Sequence, residues 1–136
     1  MLDAVSINST TVTSLRNLKS VIDTGTTYIV APTSQVNKFY ASIPGSKDQS
    51  STVGAGFHSI PCAATEHVAL SFGNTSFGIA PSLFNLGRVS QGSSDCLGAV
   101  IGSDGVSFWV VGDTFLQNVY STFDLGHNRV GFAALK

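Results

Sequence analysis

Three observations predict an all-β fold for this 136-residue chain. Apolar residues alternate with period two in short stretches, the stretches recur at close spacing, and each ends in Gly, Asn, Pro or Ser. The length suits one domain and leaves no room for a second core, so a single lobe over residues 1–136 is expected, with little helix.

In chain order, Val5 and Ile7 alternate within Asp3 to Asn8, the chain turns at Asn8 to Thr11, and Val12 and Leu15 resume on the way back, which predicts a hairpin. Pro32-Thr33-Ser34 offers a helix start, and Val36, Phe39 and Tyr40 follow at helical spacing, which predicts a helix over about 33–43. Residues 46–52 are serine-rich and read as a surface loop. Val68, Leu70 and Phe72, then Phe77 and Ile79, flank the turn Gly73-Asn74-Thr75 as a second hairpin. A second serine-rich loop follows at 90–95. After Gly112 a short helical turn is expected, with Asp113 offering its carboxylate to free backbone N–H groups and Phe115 and Leu116 packing inward. Val119 to Phe123 and Val130 to Ala133 flank Gly126-His127-Asn128, a third hairpin whose turn residues tolerate positive φ.

Composition excludes several classes of function. Hydrophobic residues make up 43% and charged residues 11%, with 14 Gly; a disordered chain needs the opposite balance. Seven Lys and Arg against eight Asp and Glu leave a net charge of −1 without a basic cluster, so nucleic-acid binding through phosphate neutralisation is not expected. Apolar runs such as Phe108 to Val111 fall far short of the roughly 20 residues of a membrane span, so a soluble protein without a membrane partner is expected. Residues 1–20 lack an apolar core of signal-peptide type, so Met1 is either a true start or an initiator on an internal segment.

Cys62 and Cys96 are too far apart for a CxxC pair and too few for a zinc site of thiolates, and are read as a disulfide. Two sequons, Asn8-Ser9-Thr10 and Asn74-Thr75-Ser76, lie in turn-like contexts and offer Asn8 and Asn74 for glycosylation. Together with scarce Lys and Glu, these features point to an oxidising, secretory-pathway origin, secreted or vacuolar.

The sharpest local feature is Val21-Ile22-Asp23-Thr24-Gly25-Thr26-Thr27, an apolar strand that delivers a carboxylate into a tight turn of glycine and hydroxyl residues. Such a turn exposes the acid, Gly25 would let another backbone approach, and Thr26 would hydrogen-bond the carboxylate. On these residues alone, an ordinary Asp turn cap is an equally good account. A second feature is Trp109-Val110-Val111-Gly112-Asp113-Thr114-Phe115, followed by Tyr120-Ser121-Thr122-Phe123-Asp124 and Asn128-Arg129-Val130-Gly131-Phe132-Ala133. Trp109 to Ala133 closely resembles the C-terminal end of pepsin-like aspartic proteases, and with Val21 to Thr27 and Ala31-Pro32-Thr33 the match runs in order over nearly the whole chain. What the chain resembles is the C-terminal lobe of such an enzyme, with the look of a fungal secreted one; the cysteine pair falls where that lobe typically carries its disulfide.

The resemblance implies a β lobe based on a six-stranded sheet, with Asp23 as one of two catalytic aspartates that hold a water between them and hydrolyse a peptide bond. Two carboxylates about 3 Å apart cannot both ionise, so one polarises the carbonyl while the other deprotonates the water. No metal or organic cofactor is needed, since the pair does its own acid–base work. The family brings two Asp-Thr-Gly or Asp-Ser-Gly motifs, one per lobe, whereas this chain has one; Asp113-Thr114 runs into Phe115 instead of Gly. The second aspartate is therefore expected from an N-terminal lobe. Two other arrangements remain open: a stand-alone non-catalytic lobe that binds peptides or serves structure, and a homodimer of lobes like retroviral proteases.

By the same resemblance, Thr24 lies at the base of the site and bonds across to the other lobe, Thr26 steadies Asp23, and Val21, Thr27, Ala99, Ile101 and Val110 lie near the pockets for a peptide or protein substrate. Their apolar character favours hydrophobic side chains around the scissile bond, although each also reads as a plain core or strand residue. Competing sites are weak: a disulfide at Cys62 dissolves the metal-like spacing of His58, Cys62 and His67, and Gly105 to Trp109 lacks the second glycine of a serine-hydrolase elbow. A lobe built against a partner leaves apolar surface exposed when alone, with Val21, Ile22, Val111 and the terminal strands as candidates, so self-association or capture of an N-terminal lobe is expected. Without a second carboxylate nearby, Asp23 is expected to titrate near the ordinary Asp value.

Overall fold

The computed structural model describes residues 1–64 and 66–136. Strands β1 (Leu2–Ile7), β2 (Thr10–Leu18), β3 (Ser20–Ile22) and β4 (Ile29–Pro32) precede helix α1 (Thr33–Ala41). Strands β5 (Lys47–Asp48), β6 (His58–Pro61), β7 (Val68–Phe72) and β8 (Thr75–Ile79) lead to α2 (Pro81–Phe84). Then β9 (Asn85–Arg88), β10 (Asp95–Gly98), β11 (Val100–Ser103) and β12 (Trp109–Val111) lead to α3 (Asp113–Leu116), and β13 (Val119–Asp124) and β14 (Arg129–Ala134) close the chain. The all-β expectation holds, and the helices are short.

All three expected hairpins form. β1 and β2 are joined through Asn8-Ser9, both at positive φ (52° and 66°), the turn handedness that matches the twist of the strands. β7 and β8 turn through Gly73-Asn74 in the same way (57° and 63°). β1 also pairs with β7, so these two hairpins make one antiparallel sheet ordered β2-β1-β7-β8. β13 and β14 pair from Val119↔Ala134 to Asp124↔Arg129 and are closed by a 3-10 turn over Leu125–His127, with Asn128 left-handed. Asp124 holds that turn by accepting from the Arg129 Nε at 2.8 Å and from the His127 backbone N–H at 3.3 Å.

A second antiparallel sheet is ordered β5-β6-β10-β9, and the Cys62–Cys96 disulfide ties the end of its β6 segment to β10, with the Cα atoms 4.9 Å apart. The third sheet, ordered β11-β4-β12-β3, is mixed: β11 runs parallel to β4, β12 antiparallel to β4, and β12 parallel to β3. β11 and β4 are apolar and largely buried, as strands covered on both faces must be. The core runs between the sheets through Leu2, Val5, Leu15, Ile29, Phe39 and Phe115.

Four local expectations need correction. The helix ends at Ala41, two residues early, because Pro44 disfavours helical geometry at Ile43. Its start is Pro32 at the cap position, with no side-chain cap from Thr33 or Ser34. The serine-rich stretch 46–52 contains β5 and the buried Gln49, whose Nε2 donates to the Ser59 Oγ at 2.9 Å and whose carbonyl accepts from the N–H groups of Thr52, Val53 and Gly54. Finally, no six-stranded sheet forms among the described residues. The strands divide into three sheets of four and one hairpin, because the β13–β14 ladder is not joined by hydrogen bonds to the others.

Candidate active site

The third sheet positions the acid singled out in the sequence. β12 is inserted between β3 and β4, so the turn that joins β3 to β4, residues 23–28, passes over the end of β12. Both ends of this turn are tied down. The Asp23 backbone N–H donates to the Val111 carbonyl at 3.0 Å, the Asp113 N–H donates to the Thr26 carbonyl at 2.8 Å, and the Thr114 N–H donates to the Thr27 carbonyl at 2.9 Å.

Within the turn, both carboxylate oxygens of Asp23 are engaged. Oδ2 accepts from the Thr26 hydroxyl at 2.6 Å and Oδ1 from the Gly25 backbone N–H at 2.9 Å. These donors, the Thr26 hydroxyl foremost and then the Gly25 N–H, hold the carboxyl below its ordinary value, against a smaller opposing effect of desolvation. The ordinary titration expected of a lone Asp23 is thus corrected: hydrogen bonds inside the turn suffice to favour the charged form.

The glycine that admits another backbone is Gly112. A Cβ there would lie 2.1 Å from the Thr26 carbonyl oxygen and 2.3 Å from that of Tyr28, whereas one on Gly25 would meet only the Asp23 Oδ1, at 3.2 Å. The carboxylate expected to cap α3 does not do so. Gly112 occupies the cap position without a side-chain hydrogen bond, and Asp113 contributes its backbone N–H instead.

Around the turn, Thr24 and Thr27 are exposed, Val21 is 47% exposed, and Val110 is half-buried. Ala99 and Ile101 are buried; the Ala99 carbonyl accepts from the Ile29 N–H at 3.0 Å. Of the apolar residues expected at the surface, Val21 is exposed and Ile22 half-buried, but Val111 is fully buried, because its side chain packs into the hydrophobic core. The exposed apolar side chains concentrate on the last hairpin and its flanks: Tyr120, Phe123, Leu125, Val130 and Leu135. His58 is buried, its ring stacked on Tyr40 at 4.5 Å between centroids. No helix among the described residues is long and apolar enough to cross a membrane.

The two sequons differ in environment. The Asn8 Nδ2 donates to Glu66 and its Oδ1 accepts from the His67 N–H at 2.9 Å, whereas the exposed Asn74 side chain makes no hydrogen bond to a described residue. Sequence reasoning missed three supports of the turn. The Trp109 indole N–H donates to the Gln35 Oε1 at 2.6 Å and fastens β12 to α1; the Thr114 hydroxyl donates to the Thr27 carbonyl at 3.1 Å; and the Asn118 Nδ2 donates to the Thr114 carbonyl at 2.7 Å. Only Trp109 carried a signal, as the one tryptophan of the chain, set in an apolar run.

A sequence profile described as eukaryotic aspartyl protease matches residues 1–135. An aspartic protease of Phaffia rhodozyma is 50% identical over 117 residues, covering 84% of this chain and 29% of that protein. The major aspartyl peptidase 1 of Cryptococcus neoformans is 36% identical over 124 residues (88% of this chain, 25% of that protein). Penicillopepsin-2 of Penicillium janthinellum is 32% identical over 118 residues (86% and 29%). The chain thus spans less than a third of the length of these relatives. Matched by the profile along almost its whole length, it belongs to the eukaryotic aspartyl proteases, the pepsin-like family.

Proposed function

We propose that this chain is the C-terminal half of an aspartic endopeptidase, with Asp23 as one of two aspartates that activate water against a peptide bond. The observation that carries this reading is the exposed turn holding Asp23 between the Thr26 hydroxyl and the Gly25 N–H, on a strand junction braced by β12. A carboxylate so held is ready to be the ionised partner: it takes a proton from the water while the other, protonated aspartate polarises the scissile carbonyl. The second carboxylate comes from an N-terminal lobe, in keeping with relatives more than three times as long as the matched segment.

That lobe would cover the apolar side chains of the last hairpin, where Leu125 is 88% and Tyr120 71% exposed. The exposed Thr24 then bonds across to it, while Val21, Thr27 and Val110 contact substrate side chains and Ala99 and Ile101 back the pockets from within the lobe. Val21 and Val110 favour apolar residues of a peptide or protein substrate. The disulfide supports an oxidising compartment, secreted or vacuolar, and the exposed turns at Asn8 and Asn74 suit glycans.

The test is to produce the chain joined to its N-terminal lobe and assay an unfolded protein substrate across acid pH. Cleavage blocked by a statine-type transition-state mimic and lost in Asp23→Asn is the expected result. Folded two-lobe protein without cleavage would favour the non-catalytic lobe, and cleavage by this chain alone, rising with the square of its concentration, the homodimer.

A further inference from the structure

The turn that carries Asp23 receives only one side-chain hydrogen bond from outside itself among the described residues, and it comes from Thr114. Thr114 is 4% exposed and stands in the first turn of α3. Its backbone N–H and its hydroxyl converge on the same acceptor, the Thr27 carbonyl, at 2.9 Å and 3.1 Å. A carbonyl oxygen has two lone pairs, and both are thereby used.

We infer that Thr114 is a positioning residue for Asp23: by filling the second lone pair of the Thr27 carbonyl it locks the far end of the turn and so keeps the Thr26 hydroxyl aimed at the carboxylate. The inference rests on Asp23 being the working acid, and it follows from how the turn is held. The near end is fixed by the Asp23 N–H on Val111, and the middle by the Asp113 N–H on Thr26. The Thr27–Tyr28 peptide is the last but one before β4, and with one donor it could tilt about its flanking bonds without losing a partner. With two donors from one buried residue it cannot.

Thr114 is itself held. The Asn118 Nδ2 donates to the Thr114 carbonyl at 2.7 Å and to the Phe115 carbonyl at 3.1 Å, while the Asn118 Oδ1 accepts from the Ala80 N–H at 2.8 Å. Fixed partners therefore run from the β8–α2 junction through Asn118 and Thr114 to the turn. Thr114 is buried and reaches Asp23 only through the turn, so it acts through Thr26 and is not a catalytic residue.

The titration of Asp23 in the intact chain tests this, read by carbon NMR of its carboxyl, a measurement independent of whether the lobe belongs to an active enzyme. Thr114→Val keeps the shape and removes the hydroxyl; the expected result is an Asp23 midpoint displaced upward, toward the ordinary Asp value, and Gly25 amide exchange about fivefold faster, the equivalent of one neutral hydrogen bond. Thr114→Ser keeps the hydroxyl and should leave both unchanged. If Thr114→Val does not fold, Thr114→Ala against Thr114→Ser gives the same contrast. A folded Val or Ala variant with the parent midpoint, or a Ser variant displaced as far as Val, would overturn the inference. Failure of the proposed proteolysis with the Val–Ser contrast intact would overturn the functional reading alone.

Discussion

Thr26 and Asp23, three residues apart, are joined by a hydroxyl-to-carboxylate hydrogen bond of 2.6 Å, the largest influence on the charge of that carboxylate. A donor of this kind strengthens as the acceptor ionises. Thr26→Ala should therefore raise the Asp23 titration midpoint, with Thr26→Ser retaining the parent value. NMR titration reads both, and an unchanged midpoint in Thr26→Ala would show that the Gly25 N–H alone suffices.

Acid should destabilise the lobe through a small set of carboxylates. Asp23 is depressed chiefly by Thr26, Asp48 by Ser50 and Asp124 by Arg129. A carboxyl whose folded value lies below its unfolded value stabilises the native state fully above the ordinary value, about 4, and loses that contribution as pH falls through the depressed value. The urea midpoint is expected to stay level above about pH 5 and to fall progressively below about pH 4. A midpoint that rises over that interval would refute this.

Gly112→Ala should be among the most damaging single substitutions. The added methyl would press on the Thr26 and Tyr28 carbonyl oxygens, which are backbone atoms of the turn that joins β3 to β4. Overpacking of this kind costs about 3 kcal/mol, roughly a 10 °C fall in melting temperature for a domain of this size. Calorimetry of Gly112→Ala beside Gly131→Ala, whose added Cβ meets no atom within 4 Å, separates the clash from the residue change.

The Cys62–Cys96 bridge closes a loop of 34 residues in sequence separation, which corresponds to about 3–4 kcal/mol in the chain-entropy account. Reduction should lower the denaturant midpoint accordingly, and the oxidised chain should be about two hydrogens lighter than the reduced one by intact mass. Two thiols reacting in the native protein without reductant would exclude the bridge.

The two sequon turns predict unequal responses to glycine. Both asparagines are left-handed, which glycine tolerates, so each substitution isolates the side chain. Asn8→Gly loses the bonds to Glu66 and His67 and should cost about 1 kcal/mol, whereas Asn74→Gly should be near neutral. Denaturant midpoints decide; equal losses would mean that Asn8 contributes by conformation alone.

The hairpins were legible in the sequence because alternation and turn chemistry are local. Asn8-Ser9, Gly73-Asn74 and Asn128 announce their turns without help from distant residues. Asp23 was legible for the same reason, as a carboxylate among glycine and hydroxyl residues after an apolar strand. The third sheet was not. Its parallel ladder of Trp109, Val110 and Val111 against Ser20, Val21 and Ile22 joins segments with no shared pattern, and runs of three residues are too short to show a period. Asp113 misled because a carboxylate at a helix start usually caps it, whereas the backbone N–H groups at this start are spent on the Thr26 and Thr27 carbonyls. Thr114 left no trace, since a buried hydroxyl and an exposed one read alike.

The threading of β12 between β3 and β4 also sets a timetable. During synthesis the segment with Asp23 emerges about 85 residues before the strand that braces it. Until Trp109 to Thr114 arrive, Val21 and Ile22 lack a neighbouring strand on the β12 side, and the Thr26 and Thr27 carbonyls lack their donors. Bringing together segments so distant carries a loop-closure cost before any contact repays it. A ribosome stalled before residue 109 therefore carries the acid without the strand that braces its turn.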